Sequence, residues 1–348
     1  MVQSNNVNIE STAPLITPAE LKALFPATNE LMRKVVDSRN ELRAILDRKS
    51  NKHAIITGPC SIHNTDAALE YAERLLKLKE KFSDRIMLVM RVYFEKPRTT
   101  IGWKGLIYDP DLNDSGNIAK GLCLARELLC KIVGMGLPVG TEILEPIIPQ
   151  YIADMIAWSA IGARTTESQT HRQLTSGLSM PIGFKNATDG SVHIAVNAIK
   201  SAASKHSFIG ITEDGKASIF RTKGNKYGHL VLRGGENYPN YTSEYIAFTK
   251  VVMDKAGLTP NIIVDCSHSN SRKQPQRQLL VMRDIMEQIA AGETAIRGTM
   301  LESNLLPGSQ PINSCPVDPR ISITDGCIGW DETEEIISEF YHSLGKNK

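Results

Sequence analysis

Several protein classes are ruled out by what this chain lacks. It contains no run of about 18 consecutive apolar residues, the length a membrane-spanning helix needs. Its first residues, MVQSNNVNIESTAP, have no basic-then-apolar pattern, so no secretory leader is expected. Charge of one sign is not in excess either: 40 Lys and Arg stand against 38 Asp and Glu, for a net charge of +2. A nucleic-acid binder that relies on a strongly basic face is not expected from that balance. The six cysteines are scattered without the spacing of a disulfide scaffold, which suits reduced thiols in a cytoplasmic protein. Internal repeats and low-complexity segments are also missing.

The 348 residues are 41% hydrophobic, enough to bury a large core, and an α/β barrel of this size commonly forms one unit. Residues 1–16 are polar and mixed. Thr17-Pro18-Ala19-Glu20 then carries a helix-start signature, with Thr as cap and Pro at the first helical position. A second helix is expected over about 29–48. From there, β-branched or apolar runs alternate with helical patterns: HAIITG (53–58), RIMLVMR (85–91), LPVGTE (137–142), WSAIGA (158–163), PIGFKN (181–186), HLVLRG (229–234), NIIVDCSH (261–268) and TAIRGTMLES (294–303). Continuous apolar runs, rather than strict alternation, suit strands covered on both faces of a parallel sheet. Amphipathic stretches at 67–82, 121–136 and 272–292 lie between them. Eight such strands specify a (β/α)8 TIM barrel over 49–348, preceded by an N-terminal extension over 1–48. Residues 207–222 read as a β-hairpin around Asp214-Gly215, inserted where a plain helix-to-strand connection would serve. A proline-rich irregular stretch covers 303–323.

The strand ends differ in kind from the strand bodies. In order they carry Cys60, Arg91, Glu142, Arg164, Lys185, Arg233, His268 and Glu302, and in a barrel these positions converge on the rim where active sites are built. Apolar runs must end somewhere, so one or two charges there would mean little. Four Arg or Lys on a single rim would repel one another unless anions compensate, and Arg presents a fork matched to phosphate or carboxylate oxygens. The segment FEKPRTTIGWKG adds Lys96, Arg98, Thr99 and Thr100 on a loop stiffened by Pro97, which suits a second anion pocket. Two cationic groups imply two anionic substrates, or one with two phosphates.

Lys185 has a rival reading, as an aldolase-type Schiff-base lysine, which needs desolvation and a depressed pKa. Cys60, His268, Glu302 and Asp325 together offer a sulfur, an imidazole and two carboxylates, a set that suits a divalent transition metal such as Mn, Fe, Co or Zn. Singly, Cys60 reads equally well as a small hydrophobe and His268 as a hydrogen-bonded rim histidine. Cys60-Ser61-Ile62-His63 is a C-x-x-H pattern without a second pair, and carries little weight alone.

The blocks GPCSIH (58–63), MRVYFEKPRTTIGWKGLIYDPDLN (90–113), GARTTESQTHR (162–172), GFKN (183–186), LRGG (232–235), DCSHSN (265–270) and ITDGCIGW (323–330) resemble the class I 3-deoxy-D-arabino-heptulosonate 7-phosphate (DAHP) synthases of the shikimate pathway. The resemblance runs over almost the whole chain in the family's order. It implies metal ligands at Cys60, His268, Glu302 and Asp325. It implies a phosphoenolpyruvate site at Arg91, Lys96, Arg164, Lys185 and Arg233 with the backbone of Ala163, and an erythrose 4-phosphate site at Arg98 and Thr99. The implied reaction is aldol-like, with the metal orienting the aldehyde and Lys96 as proton donor; Lys96, Cys60 and His268 form the implied catalytic group.

Family members are inhibited by aromatic amino acids, and the matching positions are Pro149, Gln150, Leu178, Ser179, Phe208 and Gly210. Gly210 and its surroundings resemble the tyrosine-inhibited members more than the phenylalanine-inhibited ones, which tend to have Ser there. A glycine leaves room for a ring hydroxyl, though it could equally serve only the hairpin backbone. Two departures are small-for-small: Ala187 stands where the family usually has Gly, and Gly140 where Ala is usual. An extension and a hairpin outside the barrel suggest a homodimer or homotetramer. A sensor that kept these pockets but lost the chemistry is the non-enzymatic alternative.

Overall fold

The computed structural model describes residues 4–98, 100–314 and 316–345. Eight parallel strands close into a barrel: β1 (His53–Gly58), β2 (Ile86–Arg91), β3 (Val139–Glu142), β4 (Trp158–Ile161), β5 (Ile182–Lys185), β8 (Gly228–Leu232), β9 (Ile262–Asp265) and β10 (Ile296–Glu302). Around the barrel the order is β1, β10, β9, β8, β5, β4, β3, β2, so β1 and β10 form the closing ladder. Each of the eight apolar runs read from the sequence is a strand. Inserted between helix α7 (His193–Ala202) and β8 is the antiparallel hairpin of β6 (Ser207–Ile211) and β7 (Ala217–Arg221), with Gly215 in its turn at φ +74°.

Why the strands read as continuous apolar runs is visible in how they divide their side chains. On β1, Ala54 and Ile56 join Val89, Trp158, Ala160, Val231, Ile263 and Met300 inside the barrel. Ile55, between them, packs outward under the helices with Leu88 and Leu301. Both faces are dry, so both must be apolar.

The extension contributes α1 (Pro18–Leu24) and α2 (Asn29–Leu46). Thr17 caps α1 in a capping box closed by Glu20, as its sequence signature implies. Helix α2 closes the lower end of the barrel: Leu42, Ile45 and Leu46 pack into the interior layer of β-strand side chains. Arg297 of β10 fixes that seat, donating from Nε to Ile45 O (3.0 Å) and from Nη2 to Ser50 O (3.0 Å).

The remaining helices on the barrel wall are α3 (Thr65–Phe82), α4 (Ile118–Gly134), α5 (Pro149–Ile152), α6 (Gln169–Thr175), α8 (Ser243–Lys255), α9 (Arg277–Ala290) and α10 (Trp330–Ser343). The amphipathic stretch at 272–292 becomes helical only at Arg277, later than its pattern suggested. Arg272 and Lys273 hold left-handed backbone (φ 53° and 58°), and Pro275 follows, so the helix cannot begin there. None of the described helices is long and apolar enough to cross a membrane.

Because α2 supplies core side chains to the barrel, Ile45→Ala should cost about 3 kcal/mol of stability through the cavity it leaves. A urea titration followed by circular dichroism measures it.

Candidate active site

At the upper rim the charged strand ends meet. Arg91 ends β2 fully buried, and its Nη2 lies 3.1 Å from Glu302 Oε1 at the end of β10. Its guanidinium also stacks on the Tyr93 ring, 3.9 Å from the centroid. Lys185, at the end of β5, has its Nζ 3.2 Å from Glu142 Oε2 and 3.7 Å from Asp265 Oδ2. Burial alone would lower the Lys185 pKa, but Glu142, Tyr93 and Asp265 outweigh it and hold the amine above its usual value. An ammonium of that kind ligates anions well and attacks carbonyls poorly, which removes the support for a Schiff-base lysine.

Lys96 comes to the rim from the β2–α4 loop. Its Nζ lies 3.1 Å from Cys60 Sγ and 3.3 Å from Cys60 O. Burial opposes its charge, yet Cys60, Glu302 and Asp325 raise its pKa, so it stands protonated. Arg98, further along that loop, donates from Nε to Trp103 O (2.9 Å). Thr99 lies outside the described residues.

Arg164 and Arg233 occupy the opposite side of the rim. Burial and the neighbouring Arg164 hold the Arg233 pKa down, against Asp265. The rim pairs are Arg91 with Glu302 and Lys185 with Glu142 and Asp265; among the described residues Arg164 and Arg233 make no ion pair. Two guanidiniums left near each other without carboxylates are arranged for an anion. Ala163 and Arg164 can approach because Gly162 precedes them: a Cβ there would stand 2.5 Å from Glu142 Oε1.

Cys60, Glu302 and Asp325 offer ligand atoms that all lie within 4.8 Å of one another, a spacing that suits one cation. The closing ladder brings this about, since Gly58 of β1 is in register with Glu302 of β10. Asp325 reaches in from the loop before α10, where Ile328 N donates to Glu302 O (3.0 Å). His268 flanks the trio, with Nε2 3.8 Å from Glu302 Oε1. Its Nδ1 faces Asp265 Oδ2 (2.9 Å) and Ser267 Oγ (2.7 Å). An imidazole that carries its proton on Nδ1 turns a bare Nε2 lone pair toward Glu302, an arrangement that favours a cation between them. Burial pushes the Cys60 thiol pKa up to about 11, helped by Glu302 and opposed by Lys96. A bound cation reverses that preference by favouring the thiolate.

Two further members of the site, Gln278 and Asp265, are not among the residues expected from the sequence. Gln278 of α9 clamps the Glu302 backbone at both ends, donating from Nε2 to O (3.0 Å) and accepting from N at Oε1 (2.8 Å). Asp265 holds both His268 and Lys185, and burial, which would raise its pKa, is overcome by His268, Lys185 and Arg91. A carboxylate ending an apolar run three residues before a rim histidine could have marked it.

The effector positions divide. Pro149, Gln150, Leu178 and Ser179 line one cavity of about 360 Å³ together with Lys22, Arg39 and Asp154. Phe208 and Gly210 are not among its lining residues. They sit on β6, where Phe208 stacks on Phe220 with ring centres 5.6 Å apart. The hairpin adjoins the cavity through its turn, Lys22 Nζ meeting Glu213 Oε1 at 2.6 Å. Gly140 has a local reason: a Cβ there would lie 3.0 Å from the Trp158 ring.

A closed barrel with buried cations, two guanidiniums without an ion pair among the described residues and a Cys–Glu–Asp trio spaced for a cation on one rim fits an enzyme acting on small anions. The model of the DAHP synthetase I family matches residues 28–338, and the chain belongs to that family. It is 47% identical to the Tyr-sensitive phospho-2-dehydro-3-deoxyheptonate aldolase of Escherichia coli (strain K12) over 98% of this chain and 96% of that one. The Phe-sensitive enzyme of the same strain is 46% identical (98% of each chain), and the Trp-sensitive enzyme 48% (93% of each). The solved phospho-2-dehydro-3-deoxyheptonate aldolase of Francisella tularensis SCHU S4 superposes with a TM-score of 0.96 at 46% identity, covering 98% of this chain and all of that one. Overall identity does not separate the three sensitivities.

Replacing Arg91 by Met leaves Glu302 without its buried partner and should cost about 3 kcal/mol of stability. Urea unfolding of metal-free protein checks this; an unchanged midpoint would show that the pair contributes nothing.

Proposed function

We propose that this rim condenses phosphoenolpyruvate with erythrose 4-phosphate and water to give DAHP and phosphate, the chemistry of its family. The observation that carries the residue assignment is the rim cluster in which buried Arg91 and Lys185 and half-buried Lys96 stay cationic beside the Cys60–Glu302–Asp325 trio. Arg91, Lys96, Arg164, Lys185 and Arg233, with the backbone of Ala163, hold the phosphate and carboxylate of phosphoenolpyruvate. Arg98 and Thr99 hold the sugar phosphate. Cys60, His268, Glu302 and Asp325 are the ligands for a divalent transition metal, and their mixed sulfur, nitrogen and oxygen donors fit Mn, Fe, Co or Zn.

When bound, the metal supplies Lewis-acid polarisation of the aldehyde. C3 of phosphoenolpyruvate attacks the aldehyde carbon, forming the new C–C bond while the carbonyl oxygen gains the electron pair. Lys96, protonated and 3.1 Å from Cys60 Sγ, is placed to deliver a proton to that oxygen. The attack uses the C2=C3 π pair and leaves C2 electron-deficient. Water adds there and loses a proton to solvent. The C2–O bond to phosphate then breaks with its electrons leaving on the phosphate, while the remaining C2 hydroxyl loses its proton to give the ketone. Arg164 and Arg233 face the growing charge of the departing phosphate.

The cavity lined by Pro149, Gln150, Leu178 and Ser179 takes an aromatic amino acid as feedback inhibitor. Its lining carries the charged side chains of Lys22, Arg39 and Asp154, with Lys22 already paired to Glu213 and Asp154 to Arg126. Tyrosine is the preferred inhibitor in this reading because Gly210 resembles the tyrosine-inhibited members and leaves room for a ring hydroxyl; a side chain there would also meet the Phe220 ring at 3.2 Å. The reading includes a cytoplasmic homodimer or homotetramer. The hairpin's outward Ile209 and Ile219, 83% and 66% exposed and directly paired across the strands, support a subunit contact there.

The pure protein with Mn²⁺ should release phosphate from phosphoenolpyruvate only when erythrose 4-phosphate is present, and a chelator should stop it. No release under these conditions overturns the reading in favour of a sensor. Cys60→Ala should abolish the metal-dependent turnover while circular dichroism stays unchanged. Gly210→Ser should raise the tyrosine concentration for half-inhibition about tenfold, equivalent to about 1.4 kcal/mol, and lower that for phenylalanine. Inhibition curves for both amino acids measure the exchange.

A further inference from the structure

Glu95 is 3% exposed, and its hydrogen bonds run to Tyr108, Leu144 and Glu145, outside the groups assigned above. It lies in the β2–α4 loop directly before Lys96, and both of its carboxylate oxygens face the segment that follows β3. Glu145 N donates to Oε1 (3.1 Å), Leu144 N to Oε2 (3.4 Å), and Tyr108 Oη to Oε1 (3.2 Å). Burial pushes its pKa up to about 7, against the two amides and the Tyr108 hydroxyl. Burying a carboxylate is costly unless hydrogen bonds compensate it, and here two backbone amides and one phenol hydroxyl do.

The loop around it folds back on itself. Lys96 N donates to Lys104 O (2.9 Å) and Ile107 N to Phe94 O (3.3 Å). Gly105 makes the close crossing possible at φ +110°, where a Cβ would clash with Phe94 O. These bonds stiffen the loop internally but do not fix its height over the barrel. Hydrogen bonds from Val92 N to Gly140 O (2.8 Å), Ile62 N to Tyr93 O (2.9 Å) and Lys96 Nζ to Cys60 O (3.3 Å) tie it to the barrel. Glu95 adds contacts with the segment after β3, which is itself pinned from the far side. His171 Nε2 lies 2.7 Å from Leu144 O, and its Nδ1 lies 2.9 Å from Ser168 Oγ at the end of the Arg164 loop. Glu142, at the end of β3, is held in turn by Lys185.

We infer that Glu95 is a positioning residue for the sugar-phosphate half of the reaction: it braces the loop bearing Lys96 and Arg98 against the backbone amides of Leu144 and Glu145. The inference rests on the assignment of Arg98 to the sugar phosphate. It predicts an unequal effect. Arg98 reaches the sugar phosphate wholly from this loop, whereas of the five side chains assigned to phosphoenolpyruvate only Lys96 stands on it, with Arg91, Arg164, Lys185 and Arg233 at or beyond strand ends. Glu95→Gln keeps the shape but replaces one acceptor oxygen by an NH2 that faces N–H donors.

Steady-state kinetics of wild type, Glu95→Gln and Tyr108→Phe with Mn²⁺ test it. For Glu95→Gln the KM for erythrose 4-phosphate should rise about tenfold while that for phosphoenolpyruvate stays within about twofold. Tyr108→Phe, which removes a single donor and leaves the amides in place, should move the same constant in the same direction by less. Thermal melts of all three proteins accompany the assay. Unchanged constants, equal rises in both KM values, or a fall in kcat alone overturn the positioning role. If Glu95→Gln does not fold, Tyr108→Phe decides by the same split. Absence of turnover in the wild type would instead sink the reaction assignment, so the two failures are separable.

Discussion

The pairing of β1 with β10 is the contact on which the rim depends. It closes the sheet, and it sets Gly58 against Glu302 so that Cys60, two residues on, faces the Glu302 carboxylate. Ser303 N continues the ladder to Gly58 O at 2.9 Å. Without closure these groups belong to opposite edges of a sheet, and the residues between them span most of the chain. Gln278 then holds the Glu302 backbone from outside, so the carboxylate cannot move with its strand end.

A second constraint is charge. Arg91, Lys185 and half-buried Lys96 are brought to one end of the barrel by the same geometry, and their repulsion is offset by Glu302, Glu142 and Asp265. Buried pairs of this sort contribute little net stability, because desolvation cancels much of the attraction. Their consequence is functional: each cation stays charged in a dry site, ready for an anion. Arg164 and Arg233 are left outside the pairing, and that imbalance is what the substrates are proposed to correct. The net charge of +2 conceals this local order.

The N-terminal extension links stability to regulation. Helix α2 fills the lower end of the barrel, and its polar face ties down the segments that line the cavity proposed for the effector. Arg39 donates to Ile156 O and Ala153 O (2.9 and 2.6 Å), and Arg43 to Ser179 O at 2.6 Å. A ligand entering that cavity meets a helix that is also part of the core.

Periodicity and composition determined the strands, the hairpin, the capped first helix and the identity of the rim residues, because these are local or repeat at fixed spacing. Dry strands must be apolar on both faces, and the charges that interrupt them are conspicuous. The start of α9 was less legible, since left-handed residues at 272 and 273 are a backbone choice that side-chain pattern does not encode. Only the tertiary structure decided which rim groups touch. It placed Lys96 on Cys60, set Asp265 behind His268, gave Glu302 a clamp from α9, and left Phe208 and Gly210 off the cavity wall that Pro149 and Ser179 share. Apart from Asp265 and His268, which are three positions apart, those relations join residues tens of positions apart and exist only after the chain folds. What Glu95 holds was invisible for the same reason: its partners are backbone amides, which every sequence contains and none identifies.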